Sequence, residues 1–397
     1  MSPAAEAESR LDYARAMGKL LWPAMGSRVD APQMVLLPSP HMPRLLVPVR
    51  PRRAAAAATI RYSAQQDLRF RIGSLAIAGA VRAGLCSALA PKRSGATVIG
   101  DAESIDDHLS EVLGVPTVSS LPLTPARNNR KPVLQVFDRS GRTLAFAKIG
   151  INPLTCSLVD GEAAVLRRLG EAGLHHIQVP QILHHGRWKH SAVLVTTALA
   201  VGMPVRASSH ALDDAMYEIS CSSTGQVDYL AATRNAAVAA GERLDRERIG
   251  RWLEVFDEAV EAHQTEGLPL GAWHGDWTTW NCSARRGRLG VWDWERCAVG
   301  VPHGFDKLHF VFNGTVGHGR DRFLGASRAL VAEAPTLLSA WQLTPFQARA
   351  TAVLYMLELS LRYLLDGARP SSAGSRIEDW AYPTIRSTLT PTKKENE

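Results

Sequence analysis

His274-Gly275-Asp276-Trp277-Thr278-Thr279-Trp280-Asn281 is the stretch on which the reading of this chain turns. An Asp followed five positions later by an Asn is what a phosphoryl-transfer loop requires. The Asp accepts the proton of an acceptor hydroxyl and the Asn holds a metal ion. Twelve residues beyond Asn281 comes Asp293, inside Val291-Trp292-Asp293-Trp294-Glu295. A carboxylate emerging from a short strand there completes a magnesium site, because Mg²⁺ takes one or two carboxylates besides phosphate oxygens and water. Taken singly, Asp276 also reads as the cap of a turn, and Asp293 as half of an ordinary surface ion pair.

A lysine and a glutamate upstream add weight. Only 8 of the 45 basic residues are lysines, and one of them, Lys148, sits in the otherwise apolar run Leu144-Ala145-Phe146-Ala147-Lys148-Ile149-Gly150. A strand lysine in that setting must find an anion or shift its pKa. Fourteen residues on, Glu162 precedes Val165, Leu166 and Leu169 by three, four and seven positions, which puts a carboxylate on the apolar face of a helix. A strand lysine paired with a helix glutamate is how kinases grip nucleotide phosphates. Alone, the two also read as a structural ion pair; with Asp276, Asn281 and Asp293 following in the right chain order, the five make coincidence a poor explanation.

With these residues in view, the sequence resembles the aminoglycoside phosphotransferase and choline kinase superfamily, small-molecule kinases with a protein-kinase-like fold. The matching features are Ala147-Lys148, Glu162, His274-Gly275-Asp276 with Asn281, Trp292-Asp293-Trp294-Glu295, and Gly300-Val301-Pro302 followed by Phe305-Asp306. The resemblance covers about residues 115–365. The resemblance implies an enzyme that moves the γ-phosphoryl group of ATP or GTP to a hydroxyl of a small molecule. Asp276 then positions the hydroxyl and takes its proton, while His274, counted with it in the catalytic loop, braces that loop. Asn281 and Asp293 hold Mg²⁺, Lys148 grips the phosphates and Glu162 orients it. The nucleobase meets backbone groups around Ala198 to Ala200, and Asp306 anchors the loop structurally. The implied phosphate-covering loop, near Leu123–Lys131, has no glycine, so Arg127, Asn128 and Asn129 are the expected donors in place of backbone N–H groups. A nucleotide-binding pseudokinase acting as scaffold or sensor is the alternative that this departure leaves open.

Working outward, the expected fold class is α+β: a small β-rich lobe over 101–200 and a larger helical lobe over 201–390. A basic α/β extension over 1–100 packs on the small lobe, and a disordered tail occupies 391–397. Short strands are expected at Met34–Leu37 and Leu45–Val49, a hairpin at Leu134–Asp138 with Thr143–Ile149, and a helix from Asp160, as its cap, to Gly170. Further helices are expected from Ser104 to Gly114 and at Tyr229–Ala240, Arg246–Gln264, Phe323–Ala334 and Pro345–Leu365.

Composition bounds the rest. Hydrophobic residues make up 46% of the 397 and charged residues 21%, ample for a core and without a run that reads as a membrane span. Five scattered cysteines give neither a disulfide framework nor a zinc site, and a cytoplasmic setting with no membrane partner follows as the expectation. The first hundred residues hold 14 Lys and Arg against 5 Asp and Glu. Without interleaved aromatics this basic block reads as a solvated face, so no nucleic-acid partner is expected. His175, His176, His184, His185 and His190 match no standard metal-ligand spacing. Beyond Asp293 acids and bases nearly balance, which favours a neutral or anionic hydroxylated acceptor over a polycation.

Overall fold

The structure is a computed structural model that describes residues 3–23, 34–39, 41–63, 68–84, 103–124, 129–222, 228–242, 245–263, 265, 267–316, 320–366 and 376–389. The chain opens with α1 (Pro3–Leu21), β1 (Met34–Leu37), β2 (Leu45–Pro48), α2 (Arg52–Ser63), α3 (Leu68–Ala83) and α4 (Ile105–Leu113). Strands β3 (Thr117–Pro122), β4 (Val133–Asp138) and β5 (Thr143–Gly150) lead to α5 (Pro153–Glu171), followed by β6 (Ile177–Gln178), β7 (Ile182–Trp188) and β8 (Ser191–Thr197). Three helices come next: α6 (His210–Cys221), α7 (Tyr229–Gly241) and α8 (Arg246–His263). Four short strands, β9 (Leu270–Trp273), β10 (Cys282–Arg285), β11 (Arg288–Val291) and β12 (Ala298–Pro302), precede α9 (Phe305–Thr315), α10 (Arg320–Leu337), α11 (Pro345–Leu365) and α12 (Ala381–Leu389). The expected α+β class is borne out. The chain divides into two compact units, Met1–Gly170 with Pro180–Val201, and Glu171–Val179 with Gly202–Glu397.

The first unit is built on a seven-stranded sheet in the order β1-β2-β3-β4-β5-β8-β7, with every neighbouring pair antiparallel. Both faces are covered, and the strands show why. In β2, Leu46 belongs to one apolar cluster while Leu45 and Val47 belong to the other, the two-residue alternation of a pleated strand. The first cluster joins α1, α4 and the inner positions of β4, β5 and β8; the second joins α2, α3 and Phe137. Strands β1 and β2 from the N-terminal hundred residues therefore continue the same sheet.

Local signals explain most boundaries. Helix α4 starts at a capping box between Ser104 and Asp107 and stops at Gly114 with φ 67°, as the sequence reading expects. Helix α5 departs from that reading: it begins seven residues earlier, and Asp160 lies in its interior instead of capping it. The start signal is Asn152-Pro153, where the Asn152 side chain accepts from the Thr155 N–H at 2.9 Å and proline occupies the first helical position. Asp160 instead accepts from His185 at 2.8 Å and from Arg187 of β7 at 2.9 and 2.8 Å. Strand β3 is implied only by the place of the expected phosphate-covering loop; Ser119 and Ser120 interrupt its apolar pattern although both are buried, the Ser119 hydroxyl donating to the buried Asp106.

In the second unit β10 pairs antiparallel with β11, β6 adds to β11 in parallel, and β9 pairs with β12. The helices pack around α11, of which thirteen residues are buried. Trp252 of α8 stacks on Phe256 and donates its indole N–H to Ser360 of α11 at 2.9 Å. The five histidines fall into separate settings. His175 and His176 donate backbone N–H groups to Glu218, His184 meets the ring of His108 edge-on at 5.7 Å, His185 bonds Asp160, and His190 lies in the β7–β8 turn. Among the described residues no helix is long and apolar enough to cross a membrane. The tail at 391–397 lies outside the described residues.

Candidate active site

Strand β9 delivers the chain into His274–Asn281, and the β10–β11 hairpin brings it back. Because Cys282 pairs with Val291, the residues just outside that pair, Asn281 and Trp292, face each other, and the Trp292 N–H donates to the Asn281 carbonyl at 3.0 Å. Asp293 is the next residue. The twelve-residue separation in sequence is thus one hairpin in space, and it carries Asn281 and Asp293 to the same end. Asp293 adopts the left-handed conformation, φ 71° and ψ 57°, and starts a 3₁₀ turn at Trp294–Arg296. Asp and Asn tolerate that region better than other residues with a Cβ.

Asp276 is held from both sides. Its Oδ2 accepts from Asn281 Nδ2 at 3.0 Å, and its backbone carbonyl accepts from the same nitrogen at 2.8 Å. With that nitrogen committed to Asp276, Oδ1 is the Asn281 side-chain atom left for a cation. Asp276 Oδ1 lies 3.3 Å from His309 Nε2. Burial pushes the Asp276 carboxyl up and Asp293 adds to this, but His309, with His274, holds it below its ordinary value. His309 itself is pushed down by burial, so near pH 7 it is neutral and acts on Asp276 through an N–H. Tyr355 OH lies 2.9 Å from Nδ1 and the Asn313 amide nitrogen 3.1 Å from Nε2; the tautomer with the proton on Nε2 is the one that bonds the Asp276 carboxylate. His309 and Tyr355 carry no sequence signal of their own, being 33 and 79 residues from Asp276 on helices whose burial reads as plain core.

His274 has both ring nitrogens occupied. Nδ1 accepts from the Asp276 N–H at 3.1 Å and Nε2 donates to the Trp292 carbonyl at 3.0 Å, while the ring packs on Trp294 at 4.5 Å. It ties the Asp276 loop to the strand before Asp293 and has no nitrogen left to move a proton. Asp306 at the start of α9 accepts from the backbone N–H groups of His274 at 2.7 Å and Gly275 at 3.1 Å, the anchoring role expected of it. Burial pushes Asp306 up to about 7 against these bonds and the nearby Arg362. Gly275 has φ 84°, and a Cβ there would overlap the Arg296 carbonyl oxygen, so the turn admits only glycine.

Burial also pushes His274 down to about 4. Between that value and its ordinary 6.5 the unfolded chain binds a proton that the folded chain refuses, so stability falls as the pH drops through this window. The expected loss approaches about 3 kcal/mol. Asp106 and Asp306, pushed up to about 6 and 7, slope the opposite way, so the group is isolated by difference. Urea unfolding at pH 7.5, 6 and 5 should show the stability difference between His274→Gln and the unaltered chain shifting in the variant's favour as the pH falls.

In the first unit Lys148 Nζ donates to both Glu162 oxygens, at 2.7 and 2.6 Å. The lysine side chain is 14% exposed and the glutamate 3%. Lys148→Ala removes the cation that donates to both oxygens of this buried carboxylate and should cost about 3–5 kcal/mol of stability. Lys148→Met with Glu162→Leu removes both charges and is expected to stay near the original stability in denaturant titration while losing turnover. Of the other expected nucleotide contacts, Arg127 and Asn128 lie outside the described residues, and Asn129 is half-buried in the turn before β4. Ala198 and Ala200 follow the end of β8, and the carbonyl of Leu199 between them accepts from Arg61 of α2 at 3.0 Å. That guanidinium also lies over the Phe146 ring, 5.2 Å from its centre.

Asn281 Oδ1 and the Asp293 carboxylate are hard oxygen donors of the kind Mg²⁺ takes, and with phosphate oxygens and water they suffice; the donor chemistry fits. No family model matches the chain, and no curated protein matches it in sequence. Among solved structures the chain is similar to a thermostable mutant of aminoglycoside phosphotransferase APH(4)-Ia in a ternary complex with ADP and hygromycin B, at 15% identity and a TM-score of 0.46; the match covers 72% of this chain and 98% of that one. A fructosamine-3-kinase-like protein from Haemophilus somnus is similar at 15% identity and a TM-score of 0.45, over 72% and 97%. The streptomycin–ATP complex of APH(2'')-IIa is similar at 13% identity and 0.45, over 75% and 98%.

Proposed function

We propose that the chain is an ATP- or GTP-dependent phosphotransferase acting on a hydroxyl of a small, neutral or anionic molecule. The observation that carries this reading is Asp276: an ionised carboxylate, fixed by Asn281 on one oxygen and His309 on the other, in the loop that leads into the Asn281–Asp293 hairpin. As the acceptor oxygen bonds to the γ-phosphorus, Asp276 takes its proton, and the bridging oxygen leaves with the nucleoside diphosphate. Lys148, oriented by Glu162, holds the phosphates. Asn281 and Asp293 would hold Mg²⁺, which when bound neutralises charge on the transferring phosphoryl group. A nucleotide-binding scaffold or sensor without turnover is the second reading, and the observation in its favour is the absence of glycine from the run near Leu123–Lys131, where a phosphate-covering loop is expected.

Thermal unfolding with ATP or GTP tests both. At about 100 times Kd, nucleotide should stabilise the chain by roughly 2.7 kcal/mol, and only with Mg²⁺ present. Stabilisation without metal supports the scaffold; no stabilisation by either nucleotide with Mg²⁺ sinks both. Mass spectrometry of a metabolite extract incubated with the chain and Mg·ATP should then show an added phosphoryl group.

A further inference from the structure

Six arginines converge on a hollow in the first unit. Arg50, Arg52 and Arg53 stand around the start of α2, Arg82 near the end of α3, and Arg139 and Arg142 on the turn between β4 and β5. Together they line two adjoining cavities of about 710 and 740 Å³ that share Arg52, Arg53 and Ser140. All six side chains are exposed, and among the described residues none is paired with a carboxylate. The sequence places these arginines in three separate segments, and the fold gathers them.

The hollow is built rather than a chance of exposure. The β4–β5 turn is seated on α2: at Gly141, φ 84°, a Cβ would collide with Cβ and the backbone of Arg53, so a close approach of two chain segments fixes where Arg139 and Arg142 stand. The acid in this turn, Asp138, forms no ion pair with the six arginines among the described residues. Its Oδ1 accepts from the N–H groups of Ser140 and Arg142, both at 2.9 Å, and from the Ser140 hydroxyl at 2.6 Å. Six like charges lining one concavity repel one another and concentrate counter-anions there. Guanidinium forks match phosphate oxygens two at a time, which a chloride or a lone carboxylate cannot exploit across six residues. The volume falls in the range of small-molecule sites. The described apolar lining is Pro51, Ala57 and Val118, with no aromatic ring on which a nucleobase would stack.

We propose that this hollow binds a soluble small molecule carrying several phosphoryl groups, recognised through its phosphates alone. The site is separate from Lys148 and does not depend on the phosphotransferase reading.

Calorimetric titration of the full chain with inorganic tripolyphosphate tests it, with orthophosphate at matched ionic strength as the control. Saturable tripolyphosphate binding is expected, much tighter than orthophosphate. Arg53→Ser with Arg139→Ser should weaken it by about tenfold or more, since each removes a charge-assisted contact. Both side chains are exposed, so the variant should fold, which circular dichroism checks. In the Lys148→Met/Glu162→Leu variant the arginine-dependent tripolyphosphate binding should persist. No saturable binding, or binding indifferent to the two arginines, overturns the proposal, as does loss of binding in the Lys148 variant. A single-stranded RNA or an anionic phospholipid vesicle that binds through the same arginines more tightly than tripolyphosphate would assign the surface to that partner and also overturn it.

Discussion

Asp276→Asn is expected to keep Mg·nucleotide binding while phosphoryl transfer falls by about 10²–10⁴-fold, the loss typical of a missing general base. The structure makes this a clean substitution. An amide has the carboxylate's shape, and its surroundings can accept it in place. With the amide oxygen toward Asn281 Nδ2, the amide nitrogen faces His309 Nε2. His309 can then accept there by moving its proton to Nδ1, where the Tyr355 oxygen becomes the acceptor. The loop keeps its bonds, and what disappears is the capacity to take a proton. Nucleotide affinity should be measured by Mg²⁺ titration at fixed nucleotide, and turnover separately. Trp277 and Trp294, packed on His274 at 5.7 and 4.5 Å, offer intrinsic fluorescence as the binding signal. Unchanged turnover in this variant would mean that the match over His274–Asn281 is accidental, and the phosphotransferase reading would fall with it.

What the sequence could and could not announce follows from distance along the chain. The Asp276–Asn281 loop and its return at Asp293 were legible because the chemistry is local: one loop and one hairpin contain it. Lys148 and Glu162 were legible through their misfit, a charge in an apolar strand and a carboxylate on the apolar side of a helix. The residues that tune Asp276 were not. His309 and Tyr355 sit on helices whose 3.6-residue pattern is fully explained by burial, and nothing in that pattern marks which buried polar group faces a carboxylate. Helix α5 shows a different failure. Asp160 ahead of an apolar run looks like a cap, and only the fold reveals that its partners are His185 and Arg187, 25 and 27 residues away. Arg61 on the Leu199 carbonyl spans 138 residues and had no local trace at all.

Asp293→Asn is expected to impair both metal-dependent nucleotide binding and turnover, a pattern that separates it from Asp276→Asn. A charge is lost where a divalent cation would be held, and Mg²⁺ binds through carboxylates far better than through neutral amides alone. The backbone gives this prediction an internal control. At φ 71° Asp293 sits where a Cβ is disfavoured, and both Asn and Gly are at ease there. Neither Asp293→Asn nor Asp293→Gly should therefore lose stability in denaturant titration without ligand, and any glycine gain should stay within about 1 kcal/mol. Stability kept while Mg-dependent nucleotide binding drops by tenfold or more in both variants assigns the carboxylate to the metal. Stability lost along with binding would make Asp293 a structural residue. If Asp293→Asn keeps Mg·nucleotide binding and Asp276→Asn loses it, the two carboxylates have exchanged roles, and the proton must be taken at the end of the hairpin instead of in the loop.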